Sequence, residues 1–173
     1  MIRRLLPIVA LVVLTASPAY ATHRYEATWS RPMILLDGVA RTYRGEDLQT
    51  WRAIRAQVIS DYSSVVSVRS VELRTPRYDC SVGDEHRAGY VLVCSNRKDP
   101  AIGGWGGSNE HGGGAAVIRF RRLDVARYYL CHELGHVLGL GHRSDGQSCM
   151  SGWEGSAFIS WPDEHDLDSL RSD

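Results

Sequence analysis

The chain has 173 residues with 20 basic and 20 acidic side chains, and 43% of its residues are hydrophobic. That length suits one domain with a sizeable core. Without a basic cluster, no nucleic-acid or anionic-membrane partner is expected.

Residues 1–21 read as a secretory signal peptide. Arg3 and Arg4 precede an apolar run from Leu5 to Leu14, and Ala19-Tyr20-Ala21 supplies small residues at the cleavage positions. The run is too short to span a bilayer comfortably, and no later stretch is long and apolar enough to do so. The mature chain is then expected to be residues 22–173, with a net charge of −2 once the two leader arginines are removed. Export also bears on the four cysteines. In an exported chain they are expected as two disulfides, and four cysteines allow three pairings.

Met33 to Leu36 is a short apolar run ending at the turn signal Asp37-Gly38, which predicts a first strand. Glu46 to Tyr62 predicts a helix, with Glu46 and Asp47 in its first turn and Trp51, Ile54, Val58 and Tyr62 on its buried face. Val65 to Leu73 alternates loosely through Val66, Val68 and Val71 and predicts a second strand; Tyr90 to Cys94 predicts a third. Ala101 to Gly114 is a glycine-dense loop containing Trp105, Asn109, Glu110 and His111. A histidine alone in such a loop more often titrates in solvent than binds a metal. Ala115 to Phe120 predicts a last strand, and Asp124 to Leu138 a helix with Leu130, Leu134 and Val137 on one buried stripe. Near the end, Pro162 precedes a final helix over Asp163 to Arg171, with Ser160 as its candidate cap and Leu167 and Leu170 facing inward.

The chemistry is concentrated between Cys131 and Met150. Here His132-Glu133-x-x-His136-x-x-Gly139-x-x-His142 sets two histidines four apart, on one face of a helix at metal-ligand spacing. Glu133 lies about 100° round the helix, beside that site. Gly139 can end the helix in the left-handed conformation, so that the chain turns back and delivers His142. Three neutral imidazoles leave the fourth position of a tetrahedral Zn²⁺ open for water, whose pKa falls to about 7. Glu133 is then placed to take the water's proton and pass it to a departing amine. Five fixed residues of these types at these spacings arise by chance in about one such chain in a hundred thousand.

This stretch resembles the long zinc signature of the metzincin metalloproteases, and among them the matrixins. The resemblance implies an α/β (α+β) zincin-like fold: a small twisted mixed sheet, two long helices and a C-terminal helix. It makes Met150 the methionine of a Met-turn, an apolar floor under the metal. It makes Glu133 the catalytic residue and His132, His136 and His142 the ligands of one catalytic zinc. It also implies an antiparallel edge strand within the glycine-dense loop, on which an extended peptide docks near Gly103 to Ser108. Residues 151–160 would wall the pocket beyond the scissile bond, with Trp153 and Phe158 as candidate walls. Because Cys131 precedes a zinc ligand and Cys149 precedes the Met-turn methionine, Cys131–Cys149 is the favoured disulfide, leaving Cys80–Cys94 across a polar loop. Pro76 to Cys80 faintly resembles a matrixin prosegment motif, but it lies within the catalytic segment rather than ahead of it.

Departures exist. Arg143 follows the third histidine where matrixins usually carry serine, and Ser151-Gly152 follows Met150 where they carry Tyr-Pro. Gly152 also occupies the position of the extra tyrosine ligand of astacin-like and serralysin-like members. The expected protein is a secreted, monomeric zinc endopeptidase, with a structural Ca²⁺ left open. The competing expectations are a non-catalytic zinc- or protein-binding module on this fold and a zinc amidase acting on cell-wall peptides.

Overall fold

A computed structural model describes residues 32–73, 90–95, 104–105, 116–120, 122–151 and 159–171. Among these residues five strands form one sheet: β1 (Met33–Asp37), β2 (Val68–Glu72), β3 (Tyr90–Ser95), β4 (Gly104–Trp105) and β5 (Ala116–Phe120). Their spatial order is β2-β1-β3-β5-β4. The first four in that order are parallel. β4 closes the sheet antiparallel to β5, pairing Gly104 with Phe120 and Trp105 with Arg119. Among the described residues three α-helices accompany it: α1 (Gly45–Asp61), α2 (Ala126–Val137) and α3 (Glu164–Arg171).

Side chains alternate across a strand, so each strand divides its residues between two faces. Met33 and Leu35 of β1, Val91 and Val93 of β3, and Ala116 and Ile118 of β5 face the main core. There they meet Trp51, Val58 and Tyr62 from α1 and Leu130, Leu134 and Val137 from α2. Leu92, Cys94 and Val117 point the other way and form a small second cluster with Leu36 and Leu73. The expected faces of α1 and α2 are therefore the ones that pack, with Ile54 only partly buried against the core.

The ends of β1 and β2 are pinned to α1 by charge. Asp37 is fully buried. Its Oδ1 accepts the Val39 and Ala40 N–H groups at 2.9 and 3.1 Å. Its Oδ2 accepts Trp51 Nε1 at 2.8 Å and pairs with Arg55. Arg52 donates two bonds to Glu72, at 2.7 and 2.8 Å, and its guanidinium holds that carboxyl down at about 2. A carboxylate so supplied with donors is tolerated in the interior.

Three boundaries differ from expectation. Val65 and Val66 precede β2: both donate N–H to the Tyr62 carbonyl in the turn that leaves α1 and are buried there, whereas Val71 is 36% exposed on an edge strand. The segment before α2 begins with a 3-10 turn, Leu123–Val125. The cap of α3 is Asp163 rather than Ser160. Its Oδ1 accepts the Asp166 N–H at 2.9 Å, while Asp166 Oδ2 accepts the Asp163 N–H at 3.1 Å. This is a reciprocal capping box built from two aspartates. The signal-peptide segment, Cys80, His111, Gly152, Trp153, Phe158 and most of the Gly103–Ser108 stretch lie outside the described residues.

Candidate metal centre

α2 carries His132, Glu133 and His136, and its termination brings in His142. Gly139 has φ +100°, the left-handed conformation expected of it. Gly139 N–H bonds the His136 carbonyl and Leu140 N–H bonds the Gly135 carbonyl, each at 2.9 Å. Those two bonds are the Schellman pattern that satisfies the last carbonyls of a helix. The same turn places the Leu140 carbonyl 2.8 Å from His136 Nδ1. On the other side, the Cys149 carbonyl lies 2.6 Å from His132 Nδ1.

A carbonyl only accepts, so both Nδ1 atoms carry the proton and both Nε2 lone pairs point inward. The three Nε2 atoms of His132, His136 and His142 stand 3.0, 3.0 and 3.2 Å apart. Lone pairs facing each other at that distance repel unless a cation sits among them. For a tetrahedral zinc with Zn–N near 2.0–2.1 Å the nitrogens would be about 3.3 Å apart, so the trio fits such an ion after small adjustment. Burial pushes the pKa of His132 down and that of His136 down to about 4, against the opposing pull of the two carbonyls. Both rings are thus in the neutral form that binds metal. His142, by contrast, is exposed.

A second group, Asp163, His165 and Asp166, also has ligand atoms within reach of one another. Its two carboxylates already hold the Arg143 guanidinium, 2.5 and 2.6 Å from Asp163 and 3.3 Å from Asp166. A cation is therefore supplied there by the chain itself.

Beneath the histidine trio lies the turn from Ser148 to Ser151. Ser148 Oγ accepts the Met150 N–H at 3.0 Å, and Ser151 Oγ accepts the Ser148 N–H at 3.3 Å. Met150 is fully buried. The Cys131–Cys149 disulfide, with Cα atoms 6.0 Å apart, ties α2 to this turn as expected. Cys94 is also disulfide-bonded, and its expected partner Cys80 is outside the described residues. From α1, the Tyr62 hydroxyl donates to the Cys131 carbonyl at 3.0 Å.

No protein-family model matches the chain, and no curated protein sequence matches it. Among solved structures, metalloproteinase-II from Bacteroides fragilis superposes with a TM-score of 0.52 at 15% sequence identity. The match covers 87% of this chain and 54% of that one, so this chain spans little more than half of that protein. The fold is metallopeptidase-like. The histidine spacing alone does not mark two residues that complete this cluster. Tyr128 stacks on His132, with ring centroids 5.5 Å apart and planes at 26°, and its hydroxyl donates to the Ser151 carbonyl. Its position four before His132 was a readable signal. Gly135 is the other: a Cβ there would stand 2.2 Å from Met150 Sδ, so only glycine lets the methionine pass under α2. Its sequence context, inside a helix, gave no such hint. Glu133 is buried at 6% exposure; burial raises the pKa of Tyr128 and Tyr129, and the Glu133 charge adds to the rise in both.

Proposed function

We propose that the protein is a secreted zinc endopeptidase of the matrixin-like metzincin type. The reading is carried by one observation: three Nε2 atoms converge within 3.2 Å while two of the rings give their Nδ1 protons to backbone carbonyls. His132, His136 and His142 hold the metal. Bound there, zinc supplies Lewis acidity and lowers the pKa of water to about 7.

Glu133 is the general base and acid. It follows His132 on α2 and is screened from bulk solvent. Its carboxylate takes the proton of the attacking water and delivers it to the departing amine nitrogen, which leaves Glu133 ionised for the next cycle. Cys149 and Leu140 carbonyls keep His132 and His136 in the tautomer that aims Nε2 at the metal. Met150 and the Cys131–Cys149 bridge hold the apolar floor against α2.

Substrate enters as an extended peptide. Among the described residues β4 is an end strand of the sheet, and an end strand can take up a further strand through its backbone donors and acceptors. A peptide added there near Gly103 to Ser108 becomes one more strand and runs past the histidine trio. The disulfide suits an oxidising compartment. Among the described residues no helix is long and apolar enough to cross a membrane.

Digestion of a random peptide library by the purified protein tests this reading. Cleavage abolished by chelator and restored by zinc is expected. If the protein holds zinc but cleaves no peptide, the binding-module reading replaces it; cleavage confined to cell-wall peptides favours the amidase.

A further inference from the structure

Two of the three histidines are oriented through their own rings, by the carbonyls of Cys149 and Leu140. His142 is exposed, and among the described residues its ring meets those of His132 and His136. Its backbone is held on one side by Leu140, which is fully buried in the core, and on the other by its neighbour Arg143. Arg143 donates its N–H to the Met150 carbonyl at 2.9 Å and bridges to Ser151, which ties the segment to the turn under the metal site. Its side chain, only 12% exposed, runs the other way into three carboxylates. It bonds Asp163 at 2.5 and 2.6 Å, Asp166 at 3.3 Å, and also Asp145. Asp166 is fully buried, and Asp163 and Asp166 form the capping box of α3.

We propose that Arg143 is a positioning residue for the third metal ligand, through which α3 is coupled to metal affinity. The inference rests on the reading of the trio as a metal site. Arg143 is bonded at both ends, to the turn beneath the metal and to the cap of a helix beyond it. A planar fork serves three acceptors at once, which the point charge of a lysine cannot reproduce. Downstream of Arg143 the chain is a short polar loop, from Ser144 to Gln147, none of it buried, so on that side the clamp is the anchor. Loosening the clamp releases His142 while leaving His132 and His136 on their helix.

The test compares the parent protein with Arg143→Gln and Arg143→Lys. Zinc affinity is measured by chelator competition, at a temperature where each metal-free protein is shown by circular dichroism to be folded. The visible spectrum of the Co²⁺-loaded protein is recorded alongside. Arg143→Gln is expected to weaken zinc binding by roughly 10–100-fold, the usual effect of losing a partner that orients a ligand, and to alter the Co²⁺ band. Arg143→Lys should recover part of that loss. A purely structural role would lower the unfolding temperature of the metal-free protein yet leave both metal readouts unchanged, and that result overturns the proposal. Should Arg143→Gln not fold, Asp145→Asn removes a single contact at the more exposed edge of the clamp. A several-fold loss of affinity is then expected, and parent-like affinity in both Asp145→Asn and Arg143→Lys overturns the proposal. A parent that binds no zinc would instead sink the metal reading of the trio, a distinguishable outcome.

Discussion

Replacing Gly135 by alanine sets two effects of opposite sign against each other. In an open helix the change stabilises by about 1 kcal/mol, because alanine loses less backbone entropy. Here the new Cβ would lie 2.2 Å from Met150 Sδ, 3.1 Å from Met150 Cε and 2.9 Å from the Tyr62 hydroxyl. Non-bonded carbon contacts are comfortable at roughly 3.5–4 Å, so the thioether must retreat by more than about 1 Å. Methionine is flexible, but Met150 is fully buried beside the bridged Cys149, and Tyr62 is held on the Cys131 carbonyl. Overpacking of that kind costs about 1–3 kcal/mol. The net expectation is a loss of about 1 kcal/mol, or a fall of roughly 2–4 °C in Tm for a chain of this size. Denaturant unfolding measures it, and a double-mutant cycle with Met150→Ala isolates the clash. In the Met150→Ala background Gly135→Ala should become neutral or stabilising, giving a coupling of about 1–3 kcal/mol. A stability gain of about 1 kcal/mol in the single variant, or additivity of the two changes, would refute the argument.

Replacing both Cys131 and Cys149 by alanine should cost about 3 kcal/mol, from the loop closed across a separation of 18 residues, as read by denaturant unfolding; an unchanged midpoint would contradict it. Glu72 has its folded pKa depressed to about 2, chiefly by its bond with Arg52. Its contribution is therefore present above its ordinary pKa of 4.5 and lost as pH falls toward 2, so the stability gap between the parent and Glu72→Gln should close over that window. A gap that stays constant from pH 6 to pH 2 would show the pair to be inert. His142→Ala should weaken zinc retention, since it removes one ligand of three, and elemental analysis after dialysis reads the loss. Retention equal to the parent would remove His142 from the site.

The parts of the structure that periodicity controls were readable from the residues. Trp51, Val58 and Tyr62 recur at helical spacing and all three are buried in the core. Met33 and Leu35 alternate and face the helices. The histidine spacing was legible for the same reason, because a helix converts i and i+4 into one face. Gly139 signalled its turn through its own conformational freedom. What escaped depends on contacts between segments distant in sequence. Met150 lies 15 residues from Gly135, and no local pattern says that they touch. The carboxylates around Arg143 come from its own loop and from the start of α3, so that charge cluster exists only once the chain has folded. Val71 belongs to the expected second strand, but it falls out of phase with Val68 and is exposed. Asp163 outcompetes Ser160 as cap because Asp166, three residues on, completes a reciprocal pair that serine at 160 could not form.

The claim that this is a hydrolytic zinc site, and not merely a zinc-binding one, rests on Glu133. Glu133→Gln keeps the shape of the side chain and cannot act as a base at neutral pH. Zinc content and peptide cleavage measured side by side on the parent and this variant decide it. Both proteins are expected to carry about one zinc per chain, with cleavage by the variant reduced roughly 10²–10⁴-fold or more. A variant that cleaves peptides as fast as the parent would contradict the account.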